Sequence, residues 1–268
     1  MTKSTIAWAV AAIALTAALI YSARWYMVEK PPVLPPLAEQ VPQSGPAAPP
    51  SSPKIEHPIE RVQVEPATPP PMALDASDPA MRELLARLFQ GNQLPELVRP
   101  MNLIRNIVAT IDNLPRSKAA PRLWPVQPTS GALATTTDGD SALLAPDNSK
   151  RYAPLVALAQ AIDTKQLVGI YVRFYPLFQQ AYHELGYPEG YFNDRLVAVI
   201  DHLLATPDVR RPIALVQPKI LYQYADPELE ALSSGQKAMI RVGPDHGAVL
   251  KTKLREIRHL LAGPVVAR

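Results

Sequence analysis

The sequence predicts a mainly α-helical fold. We expect one domain of about seven helices with at most a small β-hairpin, preceded by one transmembrane helix and a disordered proline-rich linker. Apolar residues recur at helical spacing through much of the chain after residue 78. The uncharged run Ser4–Ala23 is long enough to cross a bilayer core of roughly 30 Å. Fourteen of the 41 residues from Pro31 to Pro71 are proline, a density that opposes folding into a packed core.

The uncharged run has the features of a retained membrane anchor. It is longer than the apolar core of a signal peptide, and bulky Tyr21 stands where a cleavage site needs a small residue. Trp8 near one end and Trp25 at the other are typical of membrane interfaces. We therefore predict a single span through residues 4–23 in a bacterial inner membrane. The three-residue N-terminal tail with its early lysine, Lys3, resembles that of an uncleaved export signal. This resemblance favours a periplasmic C-terminal domain. The balance of Lys and Arg does not decide the orientation, so a cytoplasmic domain is the alternative.

These features divide the chain into four parts. Residues 1–30 form the anchor with its flanks, 31–74 the linker, 75–262 the helical domain and 263–268 a C-terminal tail. The linker favours polyproline II, which rises about 3.1 Å per residue without internal hydrogen bonds. We interpret it as a spacer; a docking motif for a proline-binding module is the alternative.

Composition excludes several classes of function. The 268-residue chain contains no cysteine, which excludes disulfides, cysteine–zinc sites, thiol catalysis and an acylated lipobox cysteine. The net charge of +3 is too small to indicate a nucleic-acid partner. No motif for a cofactor is present, so we predict none.

Local signals place the helices. Asp78-Pro79 and Asp226-Pro227 each combine a capping carboxylate with proline at the first helical position. Asn193 is interpreted as a further cap. Apolar stripes at helical spacing then predict helices that begin at Asp78, near Leu97, at Ser149, at Lys165, at Asn193, at Asp226 and at Asp245, the last two ending near Val242 and Leu261.

Strand signals are confined to short segments. Arg116–Ser149 is rich in Pro, Ser, Thr, Gly and Asp, and Thr135–Asp140 is a strong turn signal. We expect an irregular surface excursion there with a short hairpin. Ile213–Val216 and Ile220–Tyr222 are the best strand candidates, and Gln217–Lys219 separates them.

Several strings in the second half of the chain occur in a distinctive order. They are Arg173–Tyr182, Leu185–Pro188, Tyr191–Leu196, Leu215–Lys219, Tyr222, Ala225–Pro227, Gly235–Lys237 and Lys253–Arg258. Together they resemble a bacterial family, number three thousand and fourteen in the domain-of-unknown-function series, and the resemblance covers about Asp78 to Leu261. It implies an envelope protein with an N-terminal anchor, a proline-rich spacer and a C-terminal domain, and it carries no known activity, cofactor or catalytic residue.

Aromatic residues on a turn are the main candidates for a binding site. Tyrosine combines an apolar face with a hydroxyl, which suits contact with sugars or proteins. A loop that presents neighbouring side chains to a partner is predicted from Gly186, Pro188 and Gly190. Tyr171, Tyr175 and Tyr182 are interpreted as core residues instead. The predicted binding residues are Tyr187, Tyr191, Phe192 and Arg195, and an unknown envelope protein or wall polymer is the predicted partner.

Polar residues nearby permit an alternative function. Glu184 with Asp194 or Asp201 would suit a cell-wall hydrolase, because two carboxylates in different surroundings can divide the acid and base roles. Ion pairs with arginine explain the same residues without catalysis. A zinc site from His183, Glu184 and His202 is disfavoured, since the spacing matches no zinc motif. We therefore predict no metal site and no catalytic residue.

The last helix carries a basic stripe. Lys251, Arg255 and Arg258 follow i, i+4, i+7 spacing and so share a helix face. Anionic lipid headgroups or wall polymers are conceivable partners. A solvated charged face is the simpler interpretation.

Overall fold

The computed structural model describes residues 54–62, 72–88, 98–99, 101–129, 131–139 and 141–262. The predicted anchor, most of the linker and the C-terminal tail lie outside these residues, and so their assignments stay predictions. Residues 54–62 fall within the range assigned to the linker and pack against the domain. No single helix in the described ranges is long and apolar enough to cross a membrane, although Pro146–Ala161 and Thr164–Glu184, bent by 82°, pass that test as a pair.

Helices dominate the described part of the chain, as predicted. Short 3-10 turns lie at Ile59–Arg61, Leu74–Ala76, Pro121–Leu123 and Pro146–Tyr152. The α-helices are α1 Asp78–Leu88, α2 Leu103–Asn113, α3 Ala153–Ala161, α4 Thr164–Glu184, α5 Phe192–Leu204, α6 Pro227–Ala231, α7 Ser234–Arg241 and α8 Pro244–Ala262, and the strands are β1 Thr135–Asp138, β2 Ser141–Leu144, β3 Ala214–Val216 and β4 Gln223–Tyr224.

The four strands form one antiparallel sheet in the order β1-β2-β3-β4. The β1–β2 hairpin lies where the turn signal predicted it. The sheet is larger than the single hairpin predicted, because Leu143 of β2 also pairs with Ala214 of β3. The last strand lies at 223–224 rather than at 220–222, and Tyr224 pairs with Leu215. Side-chain packing between distant segments decides such pairings, which a local pattern does not encode.

Asp226 caps α6 as predicted, since its carboxylate accepts a hydrogen bond from the backbone N–H of Glu228, but the carboxylate of Asp78 acts differently from the prediction. α1 begins at Asp78 as predicted, but its carboxylate accepts hydrogen bonds from the backbone N–H groups of Asn102 (2.6 Å) and Leu103 (2.8 Å). Asp78 therefore caps α2 and ties the two helices together. Asn102 itself adopts the left-handed conformation, with φ 55°, which asparagine tolerates better than most residues.

Two further helix predictions need correction. Asn193 does not cap α5; it lies inside the first turn, which begins at Phe192, and its side chain is fully buried. The helix predicted from Asp226 to Val242 is two helices. Ser233 and Gln236 form a capping box that starts α7 and therefore separates it from α6.

The main core is built on one face of α4. Tyr171, Tyr175, Phe178 and Tyr182 recur at helical spacing in this core. The rings of Tyr171, Phe178 and Tyr182 pack against that of Phe192 of α5. The rings of Phe178 and Phe192 stack with centroids 5.9 Å apart and planes 4° from parallel. This arrangement fixes how α4 and α5 meet.

Two smaller cores complete the domain. α8 covers α4 and α5, and Leu261 packs against Val168 and Ile200 there. The sheet packs on α7 through Leu215, Tyr224 and Ile240, among other residues. Of the predicted basic stripe of α8, only Arg255 is exposed, because the side chains of Lys251 and Arg258 are 14% and 13% exposed.

Close packing at the start of α7 predicts that alanine substitutions at two glycines have opposite effects on stability. A Cβ on Gly235 would lie 2.7 Å from Leu203 Cδ2 and 2.9 Å from the carbonyl oxygen of Leu114. We expect Gly235→Ala to lower the free energy of unfolding by about 1–3 kcal/mol. Gly169 lies in the middle of α4, and apart from the backbone of that helix no atom lies within 4 Å of where its Cβ would stand. Gly169→Ala should therefore raise that free energy by roughly 0.5–1 kcal/mol. Denaturant unfolding of the full chain measures both, and equal effects would contradict this packing.

Candidate functional site

The turn between α4 and α5 is held tightly against α4. Gly186 adopts φ 115° just after α4 ends, a conformation that favours glycine. A Cβ on Gly190 would lie 2.7 Å from Cε1 of Tyr182, so the backbone approaches that ring closely. Gln179 of α4 donates to the carbonyl oxygen of Gly190 (2.6 Å) and accepts from the backbone N–H of Phe192 (2.9 Å). The turn is therefore pinned at both sides of Tyr191.

The predicted binding residues divide between core and surface. Phe192 is completely buried in the main core, so it supports the turn from inside and offers no surface to a partner. Tyr187 is half-buried and its ring stacks on that of Tyr182 at 4.6 Å. Tyr191 is also half-buried, with its ring 5.6 Å from that of Tyr175. The aromatic rings face the core and only polar atoms reach outward.

Those polar atoms hold a segment of the same chain. Tyr191, Asn193 and Asp194, which we name the clasp, bind the backbone of residues 56–59. The carboxylate of Asp194 accepts from two consecutive N–H groups, the tyrosine hydroxyl from a third, and the Asn193 amide donates to a carbonyl. The bonds are Glu56 N to Asp194 Oδ2 (3.0 Å), His57 N to Asp194 Oδ1 (2.7 Å), Ile59 N to Tyr191 Oη (2.8 Å) and Asn193 Nδ2 to His57 O (2.8 Å).

Apolar contacts reinforce these hydrogen bonds. Ile59 packs against the main core, and Val62 is buried beside Leu261 of α8. Asn193 is fixed in turn because its side-chain oxygen accepts a hydrogen bond from the Tyr171 hydroxyl at 3.2 Å. The clasp thus recognises backbone atoms in a fixed geometry. Sequence reasoning missed Asn193 as a binding residue because its position suggested a helix cap.

Arg195 and Tyr187 meet at a buried carboxylate. Asp112 of α2 is almost fully buried, and Arg195 donates to its side chain at 3.0 Å and to its carbonyl at 2.9 Å. Arg116 donates to the same carboxylate at 2.5 Å, and the Tyr187 hydroxyl lies 3.2 Å from it. The hydrogen bond to Asp112 raises the pKa of Arg116. This cluster joins the turn to α2, so Arg195 has a structural partner.

The carboxylates of the hydrolase alternative are engaged in structural contacts. Glu184 accepts from Arg105 (3.0 Å) and Gln180 (2.9 Å). Both oxygens of Asp194 belong to the clasp, and Asp201 pairs with Arg258.

The two histidines of the disfavoured zinc site also have neighbours within the fold. His183 lies 2.6 Å from the side-chain nitrogen of Gln179, and His202 lies 2.8 Å from the hydroxyl of Ser233. Among the residues that the structure describes, no group of three or more His, Cys, Asp or Glu side chains is placed to hold a metal ion.

The basic stripe of α8 is partly neutralised. Lys251 donates to the carbonyl of Thr206 (2.8 Å) and to Asp208 (3.0 Å). Arg258 forms a two-pronged pair with the carboxylate of Asp201. Arg255 is exposed and makes no ion pair within the described ranges. The three cations of the predicted stripe therefore differ in their availability to an external anion.

The fold and the clasp define a class of protein: a helical domain that binds an N-terminal segment of its own chain through side chains on the α4–α5 turn. The model of the family described as "Protein of unknown function (DUF3014)" matches residues 103–258. The chain belongs to this family, which confirms the resemblance seen in its sequence strings. No curated protein matches the chain, and no solved structure does.

Tyrosines in the main core and in the sheet predict alkaline sensitivity. Burial raises the pKa values of Tyr171, Tyr175 and Tyr182, and raises that of Tyr224 to about 12. Tyrosine in an unfolded chain titrates near pH 10. Because the folded state holds these protons more tightly, their contribution to the free energy of unfolding is complete below about pH 10. For Tyr224 this contribution is lost as the pH rises through about 12.

Denaturant unfolding at a series of pH values, read beside tyrosinate absorbance, measures this effect. The free energy of unfolding should fall above about pH 10, and Tyr224→Phe should reduce the fall. A constant free energy across that window, or titration of every tyrosine before unfolding, would contradict the burial described above.

Proposed function

We propose that this chain is a non-enzymatic binding or scaffolding protein of the bacterial envelope. Residues 4–23 anchor it in the inner membrane, and the linker carries the helical domain into the periplasm, where it binds an envelope protein or wall polymer. The observation that carries the binding role is the clasp, which engages the backbone of residues 56–59 through four hydrogen bonds. The uncharged run and the proline-rich stretch support the anchor and the spacer.

The clasp makes recognition depend on backbone geometry. Hydrogen bonds to backbone N–H and C=O groups depend on the local backbone conformation and tolerate different side chains. Here that conformation is a bend at Glu56 and His57 that leads into the 3-10 turn Ile59–Arg61. The occupant here is the chain's own segment 54–62. In this proposal the domain uses the clasp to fix the end of its tether, and the exposed part of the same turn, with Leu185 and Glu189, meets the partner.

The contacts of the carboxylates favour binding over hydrolysis. A general acid or base needs a proton-exchanging position next to substrate. Glu184 and Asp194 instead accept hydrogen bonds from residues of the same chain. No observation favours the hydrolase alternative, and we do not propose it.

Removing the charge of Asp194 tests the clasp. Asp194→Asn keeps one acceptor oxygen and places an amide donor where the second oxygen accepted, so one backbone N–H loses its partner. A hydrogen bond to a charged group contributes roughly 1.5–3 kcal/mol. We therefore expect amide hydrogen exchange at Glu56 and His57 to accelerate by about tenfold or more.

Glu189→Gln is the matched control. Glu189 lies exposed on the same turn and makes no hydrogen bond or ion pair in the described structure, so this variant should leave the exchange of residues 56 and 57 unchanged. Equal exchange in the Asp194→Asn variant and the unmodified chain would refute the role of the clasp in holding the segment.

Membrane topology and partner contact test the rest of the proposal. Alkaline phosphatase fused after Arg268 should be active, because the enzyme works only after export, and carbonate-washed membranes should retain the fusion. A photo-crosslinking residue at Leu185, which is 40% exposed, should give an adduct in intact cells. The same residue at exposed Lys219, away from the turn, is the control. An inactive fusion would overturn the orientation, and identical adduct patterns would overturn the assignment of the turn.

A further inference from the structure

A second surface feature lies between the first half of α8 and the chain that precedes β3. It is a cleft of about 340 Å³, and its charged lining consists of Arg211, Lys251, Arg255 and Asp208. We name it the basic cleft. Three cations and one carboxylate give its side chains a net charge of +2. Apolar side chains of Val209, Ile213, Met239 and Ile240 form part of its wall.

The cations of the basic cleft differ in what they bind. Lys251 is fixed by the Thr206 carbonyl and by Asp208, and its side chain is only 14% exposed. Arg211 and Arg255 make no hydrogen bond or ion pair with the part of the chain that the structure describes. Their guanidinium groups therefore have donors to offer to a ligand.

Arg211 is the more informative of the two arginines because it is half-buried. Its Nη2 lies 3.5 Å from the place where a Cβ on Gly243 would stand, and Gly243 adopts φ 92°. The guanidinium thus lies close to the backbone at the start of α8. No side-chain nitrogen of Arg211 is both buried and without a partner, so a small anion in the cleft can reach its donors.

The start of α8 adds to the positive field. Pro244 and Gly247 of its first turn line the cleft, which places the positive end of the helix dipole beside the side-chain charges. Asp245 also lies in this turn, but it is exposed and does not line the cleft.

We propose that the basic cleft binds a phosphate group, either free phosphate or a phosphate ester. A tetrahedral dianion can accept from two guanidinium forks and an ammonium at once, whereas a carboxylate has only two oxygens to share. The apolar wall would accommodate the organic part of an ester. The cations of the basic cleft differ from the stripe predicted from the sequence. Arg258 is not among them because Asp201 neutralises it, whereas Arg211, from a different element, is.

Titration calorimetry of the full chain tests this inference. Inorganic phosphate and glycerol 3-phosphate are the probes, with acetate as the carboxylate comparator. Arg211→Gln combined with Arg255→Gln should weaken phosphate binding by about tenfold or more, because charge-assisted hydrogen bonds are lost from both arginines. Arg82→Gln combined with Lys165→Gln removes the same charge from exposed residues outside the cleft and should leave binding unchanged.

Each outcome decides the matter. Tighter binding of glycerol 3-phosphate than of phosphate would identify an ester as the ligand, and equal or weaker binding of glycerol 3-phosphate would identify free phosphate. Absence of binding by either probe, equal losses in the two double variants, or acetate binding as tightly as phosphate would overturn the inference. Circular dichroism confirms that each variant is folded. The measurement is made on purified protein, so its result does not depend on the proposed envelope function.

Discussion

The packing of the α4 aromatic row against Phe192 is the constraint on which the remaining structure depends. Three rings on one helix face meet the ring of Phe192 at the start of α5, with centroids between 5.4 and 6.4 Å away: those of Tyr171, Phe178 and Tyr182. The fourth ring of the row, that of Tyr175, contacts Tyr171 at 5.6 Å. Each such pair contributes about 0.5–1.5 kcal/mol beyond its buried area. Because Phe192 is the first residue of α5, this contact sets where that helix begins and leaves the connecting turn little freedom.

Hydroxyl groups of the same tyrosines link the core to the polar residues that hold the turn and the docked segment. Tyr175 donates to Gln179 at 2.8 Å, and Gln179 in turn holds the turn backbone. Tyr171 donates to Asn193, and Asn193 holds the docked segment. Buried polar groups that are all satisfied stabilise one arrangement over its alternatives. The clasp is therefore an outer extension of the aromatic core, which explains why aromatic residues and a polypeptide-binding surface coincide.

Periodicity alone was enough to predict the long helices, because α4, α5 and α8 each bury one continuous apolar face. It failed where distant residues decide the outcome. Asp78 sits at a helix start, yet it caps the next helix, and Asn193 looks like a cap but is fully buried beneath residue 57. The pairing of β3 with β2 and the approach of Arg211 to α8 join segments far apart in sequence. The sequence predicted Tyr191 of the clasp as a binding residue. The segment that the clasp binds lies within the predicted linker and carries no local sequence signal for docking.

Docking of residues 54–62 also determines how the domain would respond to load. If the chain is tethered to a membrane as proposed, a pull from the N-terminal side reaches the clasp at the start of α5 before it reaches the helical core. Four hydrogen bonds and a few apolar contacts would yield first, and the chain between residues 54 and 72 would extend by at most on the order of 60 Å. The domain would then remain folded while its distance from the membrane increased, so in the proposed topology the docked segment would lengthen under force before the helical core is loaded.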